Sequence, residues 1–429
     1  MIGAFILYSD FIMYILSFFL LFSICTASLI ESINIIGNDH TKNHIILREI
    51  HHPIPAKFDT TLANKDRDRI YNLGLFSTVE ISQIDSFYTV FVVETFKYLP
   101  IPILEYEEGK GFSFGAGIAY LNFRGLNEQL AFGRIGGEET TYFINFINPW
   151  VYGDHGSVIA SIYQFYSESA IYNYSFQERA VLFGSGFYKR EYNKFKSEFG
   201  YEIITLKTTS TVSKNYTKKT YVDGDTTHNY IRGMISYEYD TRDIYTDPTQ
   251  GERLIMKLSP KLGLHSTANR LNLELSYKKY VGLKSWLLDP VISFKSQVLL
   301  KFTNDLPIFE YEYLGGEGFV RGYSPVIQVN HEEVQNKIEG VHIIYQNIQL
   351  QHTFLERHDY NGIEIGIDLI YFTDFGISSK SLSSFKINNV IIGYGIGVRL
   401  FVSGFGVISL DFGFNPYGSW TLHPSDGEY

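Results

Sequence analysis

The sequence predicts a mainly β protein: a sixteen-stranded antiparallel transmembrane β-barrel preceded by one small α+β domain of β-α-α-β-β order. Three observations lead there. From about Ile101 onward, apolar and polar residues alternate with period two along segments of roughly ten residues, the length a tilted strand needs to cross a bilayer. The face opposite the apolar one carries charges and glycines, as a wet lumen requires. Aromatic residues make up 16% of the chain while mean hydropathy is only -0.05. That combination suits rings at a membrane interface and lacks the runs of ~20 apolar residues that membrane helices need.

Composition narrows the function classes. With 45% hydrophobic and 19% charged residues among 429, the chain is too apolar to be disordered. Lys and Arg total 36 against 46 Asp and Glu, a formal charge of -10, which argues against a DNA or RNA partner because phosphate neutralisation needs a basic surface.

Residues 1–28 read as a signal peptide. The apolar run Met13 to Ser28 is short for a span and ends in the small residues Cys25, Thr26, Ala27 and Ser28, with cleavage expected near Ala27. The region before it has no Lys or Arg and contains Asp10, so Met1 and Met13 both remain possible starts, and an N-terminal anchor helix is the competing reading. Cleavage would remove Cys25, the single cysteine, which is compatible with an oxidising compartment.

Residues 29–97 form the small domain. Ile33, Ile35 and Ile36 make a short apolar strand stopped by Gly37 and Asn38. Helices are expected over Thr41 to Ile50 and Asp59 to Leu73, where Leu62, Ile70 and Leu73 share a face and Gly74 caps the C-terminus. Val79 to Ile81 and Thr89 to Val93 are strand-like, with Asp85 and Ser86 as the turn between them.

Residues 98–429 form the barrel. Segment starts fall near Ile101, Gly111, Asn127, Thr141, Gly156, Phe176, Phe195, His228, Gly251, Arg270, Leu288, Lys337, Ile363, Asn389, Gly406 and Ser419. The clearest alternation sets Ile408, Leu410, Phe412 and Phe414 against Ser409, Asp411, Gly413 and Asn415. A soluble sandwich also alternates, and the charged second face decides for the barrel. The even count meets the closure rule of bacterial barrels. The first segment contains Pro102 and the last contains Pro424, so closure there is either a weak seam or a frayed end. Long polar connections, at Thr211 to Thr227 and Asn304 to Asn336, are expected as external loops.

The second of these carries Leu314-Gly315-Gly316 and Val320-Arg321-Gly322-Tyr323, which resemble the loop motif of the BamA family of POTRA-plus-barrel outer-membrane proteins. Further matches lie in the family's order: Asn122-Phe123-Arg124-Gly125, Asp240-Thr241-Arg242-Asp243 with Pro248 and Gly251, and Tyr371-Phe372-Thr373-Asp374-Phe375-Gly376. Ile35 to Asn38 with Asn72 to Phe76 is similar to a POTRA domain. The resemblance implies an outer-membrane barrel with its POTRA domain in the periplasm. The loop would fold back into the lumen, with Val320, Arg321, Gly322 and Tyr323 clamped against Asp374 and Gly376.

It further implies assembly of other β-barrel proteins, with the lipid bilayer, unfolded clients and periplasmic chaperones or accessory lipoproteins as partners. A polypeptide secretion pore of the two-partner type, or a structural or lipid-handling barrel, is the alternative. Physical reasoning supports the clamp separately, because an arginine in a desolvated lumen needs a fixed anion, and Asp374 has the inward parity of Glu364 and Asp368. The chain departs from the family in having room for one POTRA domain and in retaining only Tyr429 of the terminal aromatic strand. Gln349 stands where many members place a Glu, with Asn347 and Gln351 beside it, so a weaker clamp is expected. Thr89, Phe91 and Val93 are expected to present a sheet edge to a client strand.

No enzyme chemistry is expected. Gly111-Phe112-Ser113-Phe114-Gly115 matches a nucleophile-elbow string but lies in strand sequence with no helix after it. His51-His52 and His331-Glu332-Glu333 lack zinc-helix spacing, and the glycine strings at 315–318 and 393–397 lack a phosphate-loop ending. Glu364 and Asp368 could serve as an acid-base pair but have no nucleophile nearby. Neither a metal nor a cofactor is expected.

Overall fold

A computed structural model describes residues 29–107, 111–135, 140–153, 155–169, 172–209, 224–265, 267–283, 290–303, 307–316, 318–323, 334, 337–403 and 406–425. The signal-peptide reading, His331 to Glu333 and Tyr429 lie outside the described residues.

The small domain comprises β1 (Ser32–Ile36), α1 (Asn43–Leu47), α2 (Thr60–Tyr71), β2 (Phe76–Ile84) and β3 (Phe87–Glu94). Asp59 caps α2 by accepting from the Thr61 and Leu62 amides, and its side of the domain buries Ile45, Ile46, Ile70, Val79, Val90 and Val92 in one core. Asp66, fully buried, accepts hydrogen bonds from the His51 and His52 amides and, at 2.8 Å, from the Tyr88 hydroxyl. Its charge is thereby satisfied inside the core.

The sheet order is β1-β3-β2, with β1 parallel and β2 antiparallel to β3. This corrects the expected client edge. Thr89, Phe91 and Val93 sit on the central strand, where Thr89 pairs with Asn34 and Ser82 and Phe91 with Ile36 and Glu80, while Val93, past the end of β1, pairs with Thr78. The Ile33 to Ile36 run that adds to β3 is what removes the edge.

The barrel strands are β4 (Tyr98–Glu107), β5 (Gly111–Phe123), β6 (Glu128–Ile135), β7 (Thr141–Tyr152), β8 (Gly156–Glu168), β9 (Tyr174–Lys189), β10 (Asn193–Thr208), β11 (Thr226–Asp240), β12 (Gln250–Leu264), β13 (Arg270–Gly282) and β14 (Val291–Thr303). After a short pair, β15 (Glu312–Tyr313) with β16 (Glu339–Gly340), come β17 (His342–Asp359), β18 (Glu364–Ser379), β19 (Ile391–Val402), β20 (Gly406–Phe414) and β21 (Trp420–Ser425). Leaving out the short pair, sixteen strands form one antiparallel sheet running β21 to β17, then β14 to β4. Ser113 lies within β5, so the elbow string is strand. Pro424 is accommodated opposite Leu410 in the terminal hairpin.

Alternation separates two environments. Ile408, Leu410 and Phe412 remain 40–51% exposed, whereas Ser409 and Asp411 between them are at most 1% exposed. The apolar set faces outward, as lipid-facing side chains do, and the polar set fills the lumen. Among the described residues no ladder joins β4 to β21, so the sheet has two unpaired edges at its seam.

Candidate functional site

The lumen clamp is built on the inward faces of β17 to β21. Arg321 has no solvent exposure. Its Nε and Nη2 donate to the two oxygens of Asp374 at 2.8 and 2.9 Å, a bidentate fork, and its backbone amide donates to the same carboxylate at 3.0 Å. Nη1 donates to Asp411 at 2.9 Å, and the guanidinium lies 3.4 Å above the Phe372 ring. Arginine and Asp374 thus meet as expected. Asp411, placed in the lumen by its parity but not assigned to the clamp beforehand, adds a second carboxylate.

One positive charge between two carboxylates needs further donors. Asp374 accepts from the Tyr345 hydroxyl at 3.1 Å and from Asn347 at 2.7 Å, and Asp411 accepts from Ser409 at 2.8 Å. The ladder explains why Asn347 and not Gln349 takes part: Asn347 is directly opposite Asp374 on β17 and β18. Gln349 is two residues along the strand, roughly 7 Å away at the usual rise. It is buried but accepts from Arg399 instead.

The neighbours of Arg321 fix the loop to the last hairpin. The Gly322 amide donates to His423 Nε2 at 2.9 Å, and Asn415 donates to the Gly322 carbonyl at 2.6 Å. Tyr323 donates to the Ile392 carbonyl at 3.0 Å, and Val320 is buried with Leu314, Ile338, Ile343, Tyr345 and Ile391. Close backbone approach dictates glycine in the wall. A Cβ at Gly376 would stand 2.6 Å from Val320, and one at Gly393 would collide with the Arg321 carbonyl. Of the β19 glycines it is Gly393 on which the loop rests, whereas a Cβ at Gly395 or Gly397 would meet Phe412 or Asp411 of the neighbouring strand.

The same loop has an earlier anchor that sequence reasoning missed. Glu310, buried, accepts from Arg270 at 2.5 Å and from Lys301 at 3.2 Å, with Lys261 at 3.7 Å. Phe309 packs beneath the Arg270 guanidinium beside a buried cluster of Tyr174, Ile204, Leu206 and Tyr230. The polarity is opposite to that of the clamp: here the loop supplies the carboxylate and the wall the cations. A lone acidic residue in a long polar connection carries no local signal for such a role.

At the other end of the barrel, the small domain lies across the short turns. His40 Nε2 is 2.9 Å from the Asn122 carbonyl, Asn122 donates to Thr41 at 2.8 Å, and the Lys42 amide donates to the Gly125 carbonyl at 3.0 Å. Arg48 stacks on Trp150, Arg69 pairs with Glu191 at 2.7 Å, Tyr71 bonds to Glu364, and Asn72 exchanges hydrogen bonds with Asp243 and Tyr245. Burial, with the Glu364 carboxylate beside it, raises the Tyr71 pKa despite the opposing field of Arg357. Glu364 thus bonds to the small domain, and Asp368 accepts from Gln351. The Asn-Phe-Arg-Gly and Asp-Thr-Arg-Asp segments singled out in the sequence are both sockets for this domain.

A family model described as the Omp85 superfamily domain matches residues 122–419. Among solved structures, the chain is similar to BamA from Haemophilus ducreyi lacking POTRA domains 1-3, at 18% identity and a TM-score of 0.55, covering 92% of this chain and 83% of that one. It is also similar to CdiB from Acinetobacter baumannii, at 12% identity and TM-score 0.51, over 92% and 73% of the two chains. CdiB from Escherichia coli aligns at 11% identity and TM-score 0.52, over 93% and 75%. These likenesses establish the barrel fold, and the family match over well more than half its length places the chain in the Omp85 superfamily.

Proposed function

We propose that this outer-membrane barrel assists the insertion and assembly of other β-barrel proteins, its N-terminal domain being a single POTRA domain on the periplasmic side. The observation that carries the reading is the seam: β4 and β21 each present an edge without a ladder partner among the described residues. Unpaired strand groups are costly in hydrocarbon, so an incoming strand and a free edge satisfy each other by pairing. The lumen, meanwhile, is occupied by a loop anchored at Glu310 and Arg321, and the barrel's short turns are covered by the domain. That arrangement favours work at the barrel wall over passage through its centre. Clients reaching the domain would add to β1 or β2, the outer strands of its sheet, and not to β3. Depletion followed by outer-membrane proteomics tests the proposal. Loss of many barrel proteins is expected, whereas loss of a single secreted partner with the other barrels intact would transfer the protein to the secretion-pore class.

A further inference from the structure

We infer that Lys97, Tyr98 and Tyr120 form a headgroup site that receives the phosphate of a phospholipid, in the leaflet on the small domain's side of the membrane. Lys97 is the last residue before β4, where the chain leaves the small domain and enters the barrel wall. Tyr98 opens β4 and lies directly opposite Tyr120 on β5. Both rings point out of the barrel: Tyr98 is 54% exposed, while Leu99 and Ala119, their neighbours along the two strands, are buried on the other face. The rings stack 4.4 Å apart and nearly parallel, at 10°, and the Tyr98 hydroxyl donates to the Tyr120 hydroxyl at 3.3 Å. The Lys97 ammonium stands 5.6 Å from each ring centre and within hydrogen-bonding reach of the Tyr120 hydroxyl.

No acid completes this group. Among the described residues no carboxylate pairs with Lys97 or acts on either tyrosine. Glu94 and Glu128, the acids that flank the two strands at the same end, are committed elsewhere: Glu94 accepts from the His40 and Thr41 amides, and Glu128 takes the fork of Arg124. A lone exposed lysine is ordinary where water surrounds it, but the tyrosines beside this one look out along the lipid-facing wall. Lysine and tyrosine settle at such a boundary with the apolar part in hydrocarbon and the polar tip among headgroups. The anion available there is phosphate, which a compact ammonium with three N–H donors and a neighbouring phenol hydroxyl can both bond.

The wall beyond the tyrosines favours a lipid over the free anion. On the same outward face Leu130 of β6 lies opposite Tyr120, and Ile118 follows opposite Phe132, which is more than half exposed. An acyl chain leaving the headgroup meets this apolar surface at once, whereas inorganic phosphate makes no use of it. A phospholipid held there pins the foot of β4, the strand that carries one of the two bare edges of the sheet.

The inference goes beyond the assembly reading and does not depend on it. The full chain in detergent is titrated with dioleoylphosphatidylglycerol or with dioleoylglycerol, which has the same chains and no phosphate, and bound lipid is counted by native mass spectrometry. The phospholipid is expected to fill its first site at about tenfold lower concentration, in line with a charge-assisted hydrogen bond. K97Q should abolish the difference, and Y120F, which keeps the stack and removes one hydroxyl, should reduce it. K386Q, which removes an exposed lysine from the connection between β18 and β19, should leave it unchanged. Heat-modifiable gel mobility confirms that each variant holds its barrel. Equal uptake of the two lipids by the wild type, an undiminished preference in K97Q or Y120F, or the same loss in K386Q as in K97Q overturns the inference. Release of the bound phospholipid by inorganic phosphate at the lipid's own concentration also overturns it and assigns the site to the free anion.

Discussion

Arg321→Ala should release the loop without dissolving the barrel. The substitution deletes the side-chain fork to Asp374 and the bond to Asp411, and leaves two fully buried carboxylates with Tyr345, Asn347, Ser409 and the backbone amide of residue 321 as donors among the described residues. Removing one partner from a buried ion pair costs about 3–5 kcal/mol. At about 1.4 kcal/mol per decade that shifts the docked loop by roughly two to three and a half orders of magnitude. Asp411→Asn retains an acceptor for Nη1 and loses only the charge, so its cost should be nearer ~1–2 kcal/mol, a factor of roughly 5–30. The barrel ladders do not include the loop and should persist. Limited proteolysis of detergent-solubilised protein reads docking through cleavage within residues 304–336, gel mobility before and after heating reads the barrel, and client insertion into liposomes reads activity. Cleavage should increase in the order wild type, D411N, R321A, with barrel amount nearly constant and insertion falling alongside docking. Equal cleavage of all three proteins would refute the clamp, and parallel losses of barrel and insertion in R321A would show that the residue serves folding alone.

Other expectations follow from the same geometry. Glu310→Gln, which takes the carboxylate from Arg270 while Lys261 keeps Glu202 and Lys301 keeps Glu312, should expose the early half of the loop to protease while cleavage near Arg321 stays at the wild-type level; cleavage rising equally at both ends would mean that the anchors are not separate. Gly393→Val should undock the loop at least as strongly as R321A, since its side chain collides with the Arg321 carbonyl, and wild-type protease resistance would contradict that contact. In the small domain, burial and the bond to Asp66 raise the Tyr88 pKa above 10.0. An unfolded tyrosine ionises first, so the stabilisation is complete below about pH 10 and is lost as pH rises above it. Proteolysis of residues 29–97 should therefore begin in that window for the wild type and be less steep in pH for Tyr88→Phe.

Much of this architecture was legible because a strand's period of two is unambiguous once both faces carry a signal. Ser409 and Asp411 against Ile408 and Leu410 announced a wet and an oily side, and every barrel segment was found in order. Arg321 and Asp374 were legible through a recurrent loop motif and strand parity. What stayed hidden depends on register and on contacts across the lumen, which no local pattern encodes. Parity put Asn347, Gln349 and Gln351 on one face, but only the ladder shows which of them is opposite Asp374. The central position of β3 escaped for the same reason, since a short isoleucine run does not announce which strand it joins. Glu310 and Asp411 were visible as acids and invisible as partners.

The terminal hairpin is short, β21 having six residues against eighteen in β17. Its neighbour on one side is β20 alone, yet it is splinted from inside, through His423 and Asn415, to the backbone of Gly322. The freest strand of the wall and the lumen loop therefore move as one mechanical piece, so that lifting the loop slackens the very strand whose rim is bare.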